Sequence, residues 1–217
     1  VLVARRQPEL DQAAASLVAE GISAQVLAAD LADPQAATHL AAACDRDALA
    51  IDVLVNAAGV NLRQPFMGVT ADAFDLHMAL HLRAPFLLTQ AFAPAMAQRG
   101  YGRIITIASL QSWRAFPNSA PYGAAKGGVL QLTRAIAQEW SARGITCNAI
   151  APGFFPTPLT EPVFSDPERA ARNAAQTAIG RNGAMSDLDG VTVFLASAAS
   201  AYITGQTIAV DGGFTAK

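Results

Sequence analysis

"IDVLVNAAG", residues 51–59, is an apolar run that closes on an asparagine, two alanines and a glycine. A strand covered on both faces reads as such a run, and parallel sheets cover both faces of their strands. The same pattern recurs along the chain. "VLVA" (1–4), "AQVLAAD" (24–30), "GRIITIAS" (102–109), "GITCNAIAPG" (144–153) and "GQTIAVDGG" (205–213) all read as strands. Helical spacing fills the gaps between them. One helix opens at Pro8, and a second has Asp33 as N-cap with Pro34 at its first position. A long one runs from Thr70 to about Gln98, and another, holding residues 121–128, continues to about Ala142. Ser186 with Asp189 resembles a capping box for a last helix ending near Ser197. Six strands alternating with helices predict an α/β fold, a doubly wound parallel sheet in one Rossmann-like domain over 1–217.

In such sheets ligands bind beyond the carboxyl ends of the strands. Those ends hold Asp30, Asn56–Gly59, Ser109 and Pro152–Gly153, each polar or glycine-bearing after an apolar run.

The chain has 217 residues, 52% hydrophobic and 15% charged, enough for a large core and unlike a disordered segment. A net charge of −2 gives no reason to expect nucleic acid or an anionic membrane as partner. Two cysteines, Cys44 and Cys147, make neither a disulfide framework nor a metal-binding pair. A cytoplasmic protein acting on a small molecule, without a metal, is the expectation.

"PYGAAKGG" (121–128) sets Tyr122 and Lys126 four apart, on one helix face. An ammonium beside a phenol favours phenolate, and the small residues around the pair would let a flat ligand approach. The competing reading is a surface tyrosine and lysine on an ordinary helix. Ser109, at a strand end thirteen residues before Tyr122, tips the balance. With "NAAG" (56–59), "PGFFPT" (152–157) and "ITGQTIAVDGG" (203–213), the chain resembles the short-chain dehydrogenase/reductase superfamily over its whole length. The long 108–135 stretch looks like sugar-acid dehydrogenases of the gluconate or deoxygluconate type.

The resemblance implies an NAD(P)-dependent oxidoreductase interconverting a secondary alcohol and a ketone. Tyr122 would be the general acid/base, Ser109 would bond the reacting oxygen, and Lys126 would hold the nicotinamide ribose. Asp30 and Leu31 would meet the adenine, and Asn56 would steady the central strands. Ala57, Ala58 and Gly59 would lie under the adenosine, with Pro152, Gly153, Phe155 and Thr157 flanking the nicotinamide. His81 stands where the family has an asparagine that bends the helix and holds a water on a proton relay. Ala4 replaces the acidic residue of NAD enzymes and Arg5 follows, so NADP is preferred over NAD. Gln111, Arg114 and Asn118 would serve a substrate carboxylate and hydroxyls, and 157–176 would form a lid.

The alternatives are a 3-oxoacyl carrier-protein reductase and a catalytically idle binding subunit. A homodimer or homotetramer through helices 71–98 and 121–142 is expected. The family's TGxxxGxG phosphate loop is not in the chain, which opens without methionine inside a strand-like run. A first strand and that loop are therefore expected upstream of Val1.

Overall fold

The computed structural model describes residues 1–216; the expected domain end at Lys217 lies outside them. Six parallel strands form two sheets. β1 (Leu2–Ala4) pairs with β2 (Val26–Ala28), while β3 (Val53–Asn56), β4 (Gly102–Ile107), β5 (Ile145–Pro152) and β6 (Thr207–Val210) run in that order. Each strand is shorter than its apolar run, because the flanking residues turn into loops. The β1–β2 pair and the β3–β6 sheet are not hydrogen-bonded to each other.

Alternation within β4 sends neighbouring side chains to opposite faces. Ile104 packs with Ala93 and Met96 of α4 (Ala84–Arg99) and with Ile136 of α5 (Ala120–Trp140). Ile105 packs on the other face with Ile150 and Leu195, the latter from α8 (Asp189–Ala196). Helices therefore cover both faces, as a doubly wound sheet requires. The two sheets share a third cluster, in which Leu27 and Leu54 lie against Leu40 of α2 (Ala36–Arg46) and Leu88 of α4.

The first helix, α1, spans Gln7–Ala19 with Pro8 in its first turn. Thr70 caps α3 (Ala71–Met78), accepting a hydrogen bond from Ala73 N at 3.2 Å. Two expected caps form elsewhere. Asp33 accepts from the Gln35 amide at 2.9 Å and closes a turn, so α2 begins only at Ala36. Asp187, not Ser186 with Asp189, holds the entry to α8, by bonding the Ala184 amide at 2.8 Å. The helix expected from Thr70 to Gln98 is interrupted by a π-helical turn, Ala79–Arg83, that joins α3 to α4. His81 sits in that turn. The segment expected to form a lid folds as two short helices, α6 (Glu161–Phe164) and α7 (Pro167–Ala175). No helix among the described residues is long and apolar enough to cross a membrane.

Candidate active site

Ser109 leaves β4 in extended backbone and caps the 3₁₀ turn that follows, accepting from Gln111 N at 3.1 Å. That turn packs against α5: Ser112 Oγ donates to the Lys126 carbonyl at 2.7 Å. The small residues of 121–128 admit this packing. A Cβ on Gly128 would lie 3.0 Å from Leu82, and one on Gly123 would lie 3.5 Å from Gln111 Oε1. The clearance expected for a ligand is thus used largely by the protein itself. What it achieves is to seat Tyr122 and Lys126, both buried, against the end of β4.

Ser109 and Tyr122 line the same cleft. Lys126 Nζ donates to the Ile107 carbonyl and lies 5.7 Å from the centre of the Tyr122 ring. Burial pushes the Tyr122 phenol up from its ordinary value, while the Ser109 hydroxyl and the Arg63 charge pull it back. This corrects the expectation that Lys126 would lower it: the ammonium faces the carbonyl and the ring, and desolvation of the phenolate prevails. Burial likewise brings Lys126 down to about 8.

Two histidines stand behind the tyrosine. His81 is 5.2 Å from the Tyr122 ring, edge to face, and His77 is 6.5 Å away. Desolvation, helped by the Lys126 charge, lowers His81 to about 3, so its imidazole is neutral at physiological pH. Its Nε2 lies 2.8 Å from the Val60 carbonyl and 3.3 Å from the Val60 amide; the carbonyl is closer and can only accept, which places the proton on that nitrogen, and its buried Nδ1 has no partner among the described residues. A Cβ on Gly59 would come within 2.7 Å of the His81 ring, so only glycine fits there.

These groups open onto a cleft of about 760 Å³, within the range of small-molecule sites. Of the residues expected in the site, Ser109, Tyr122, Lys126, His81, Ala57, Gly59, Pro152, Gly153, Phe155, Thr157, Gln111 and Asn118 line it. Arg114 does not; it is exposed and lies over the Phe214 ring, 5.3 Å from its centre. A guanidinium does enter the cleft from the loop after "NAAG": Arg63, whose buried Nε has no partner among the described residues. Asn61 and, from α7, Arg169 and Asn173 also line it. Reading strand ends alone missed Arg63, because it lies four residues past the last small residue. A lone cation in the loop leaving a strand's carboxyl end was the available signal.

A family model described as enoyl-(acyl carrier protein) reductase matches residues 1–215. Gluconate 5-dehydrogenase of Gluconobacter oxydans is 39% identical over 215 residues, covering 99% of this chain and 84% of that protein. 2-Dehydro-3-deoxy-D-gluconate 5-dehydrogenase of Escherichia coli is 42% identical over 168 residues, 77% of this chain and 66% of that protein. A crystal structure of gluconate 5-dehydrogenase from Burkholderia cenocepacia, in complex with NADP and tartrate, superposes with a TM-score of 0.94. It is 36% identical and covers 100% of this chain and 85% of that one. The chain belongs to the short-chain dehydrogenase/reductase family.

Dehydrogenases of this family are NAD(P)-dependent oxidoreductases, and the residues present fit such a cofactor. Ala57, Ala58 and Gly59 are exposed and nearly without side chains at the carboxyl end of β3, leaving backbone open to a flat group. Arg6 is paired with Glu9 at 2.7 Å, whereas Arg5 is exposed and has no ion pair among the described residues. Asp30 closes a turn through the Ala32 amide at 3.0 Å. Leu31 packs in the cluster shared by the two sheets, and Asn56 Nδ2 donates to Thr106 Oγ1 at 3.2 Å between β3 and β4. Gly153 has a packing reason as well, since a Cβ there would lie 2.8 Å from Asp211 Cα.

Proposed function

We propose that this dehydrogenase oxidises a hydroxyl of a sugar acid such as gluconate, and reduces the matching keto acid, with NADP. The observation that carries the reading is Arg63. A guanidinium with an unsatisfied buried Nε shares one cleft with Ser109 and Tyr122. Guanidinium forks pair with carboxylates, and the amides of Asn61, Gln111, Asn118 and Asn173 around the cleft suit a polyhydroxylated chain. Arg63 takes the place proposed from sequence for Arg114. The Gluconobacter and Burkholderia relatives, named for gluconate, support the same class.

When bound, the nicotinamide supplies or accepts the hydride. Ser109 Oγ and the Tyr122 hydroxyl then hold the substrate oxygen. In reduction Tyr122 gives its proton to the developing alkoxide; in oxidation the phenolate takes the hydroxyl proton. Burial keeps the resting phenol protonated, the form that serves reduction. Lys126, fixed on the Ile107 carbonyl, presents a positive charge beside the ring and a donor to the ribose. Arg5 takes the 2′-phosphate, with Asp30 and Leu31 near the adenine. Pro152, Gly153, Phe155 and Thr157 flank the nicotinamide.

Phe74 and Phe86, exposed on α3 and α4, support self-association through helices 71–98 and 121–142. Sedimentation velocity tests it: a monomer at micromolar concentration overturns this part.

A panel of gluconate, 2- and 5-ketogluconate and acetoacetyl thioesters, each with both nicotinamide cofactors, tests the function. Turnover of a sugar acid with NADP, lost at least tenfold in kcat/KM on Arg63→Ala, is the expected result. Turnover of the thioesters alone assigns the chain to acyl reduction instead.

A further inference from the structure

Arg63 is a non-glycine residue with φ +49°, a backbone region that side chains rarely adopt. Something must hold it there. Each of the two buried histidines of the α3–π turn reaches the loop that carries it. His77 Nδ1 donates to the Ala73 carbonyl at 2.6 Å, which leaves Nε2 as an acceptor for the Leu62 amide at 3.4 Å. His81 Nε2 donates to the Val60 carbonyl at 2.8 Å. The two rings stand four residues apart, 6.1 Å between centres, and grip backbone two residues apart on the far chain. Gly59 is the space into which the second ring fits.

We infer that His77 and His81 form a two-point clamp on residues 60–62 that aims the Arg63 guanidinium into the substrate cleft. They are positioning residues: neither has to touch substrate for the clamp to act. The inference rests on the proposed role of Arg63. The clamp is well suited to this task. Both rings are buried at 2% exposure, so water does not compete for the loop's polar groups. Backbone contacts fix the loop whatever side chains Val60 and Leu62 carry. Both histidines also lie close to Tyr122, so the loop's placement is referenced to the same side chain that moves the proton.

The test is a set of variants in the holoenzyme. His77→Leu removes the acceptor for the Leu62 amide, and His77→Gln restores one. His77→Leu should raise the KM for gluconate about three- to tenfold, the scale of one hydrogen bond, with kcat changed less than twofold. His77→Gln should recover most of that loss. In an Arg63→Ala background, His77→Leu should change KM no further, whereas a general structural defect would add to it. Hydrogen exchange supplies a readout without substrate: amides of 60–63 should exchange at least tenfold faster in His77→Leu, with α5 unaffected.

Unchanged exchange at 60–63 overturns the clamp. Faster exchange with unchanged KM, or an additive double variant, overturns its role in aiming Arg63. A wild-type enzyme that turns over no sugar acid overturns the function proposed above, while the exchange measurement still decides whether the histidines hold the loop.

Discussion

Along β5 every residue from Ile145 to Ala151 is buried, whereas in β1 half-buried Leu2 and Ala4 flank Val3, which is 37% exposed. The four-stranded sheet carries Ser109 at one strand end and is locked by α4, α5 and α8. The two-stranded pair carries Arg5, a charge in solvent. On the proposed function, chemistry is set where side chains are close-packed, and cofactor choice by an exposed cation at the end of β1. Substitutions in the first region act through burial and proton position; those in the second act through a single exposed charge.

The sharpest test of that contrast is Tyr122→Phe. It should lower turnover by about 10²–10⁴, the usual worth of general acid/base catalysis, with NADP affinity within a few-fold. Steady-state kinetics and a binding titration check it; retained turnover would falsify the assignment.

Lys126 gives the next effect, in stability. Its folded pKa of about 8 lies below the unfolded value of ~10.4. Between those values the unfolded chain binds more protons, so stability rises with pH across that window. Below it the full penalty remains, about 3 kcal/mol for a shift of this size. Lys126→Met lacks the group. Urea unfolding at pH 7.5 and 10 should therefore show wild type gaining on the variant at the higher pH. A gap independent of pH would mean that the ammonium is solvated.

At the end of β1, Ala4→Asp with Arg5→Ala should move preference from NADP to NAD. The expected loss is roughly 1.5–3 kcal/mol for NADP, the scale of a hydrogen bond to a charged group. Paired kcat/KM values check it, and a wild type that already prefers NAD tenfold removes Arg5 from this role.

The smallest effect belongs to His81. An exposed imidazole would titrate near ~6.5 and weaken a relay in mild acid. Burial lowers His81 to about 3 instead. The pH–rate profiles of wild type and His81→Asn should therefore share one acid limb between pH 5 and 7. An acid limb near 6.5 that only His81→Asn abolishes would show that the ring takes up a proton.

Ser109, Tyr122 and Lys126 were legible because their positions follow from periodicity: a strand end and one helical turn. Thr70 was legible as a cap because a β-region residue before an apolar helix has few other uses. Asp33 was not, since an aspartate closes a turn and caps a helix through the same bond to an amide two residues on. Arg114 and Arg63 differ only in where irregular loops fold back, which no period encodes. The fall of His81 to about 3 follows from burial, which pattern reading does not supply for a single side chain.

The π-helical turn at Ala79–Arg83 gives the long helical rod a change of phase. A π turn accommodates one more residue than an α turn, so the faces of α3 and α4 are offset along one continuous segment. α3 can thus turn His77 toward the 60–62 loop while α4 keeps Leu88 and Met96 in the core. Removing one residue from 79–83 would rotate α3 against α4 by roughly 100°, one residue's share of an α turn. His77 would then swing away from Leu62, although every residue named in the active site would still be present. Residue count across this turn is as much a part of the site as residue identity.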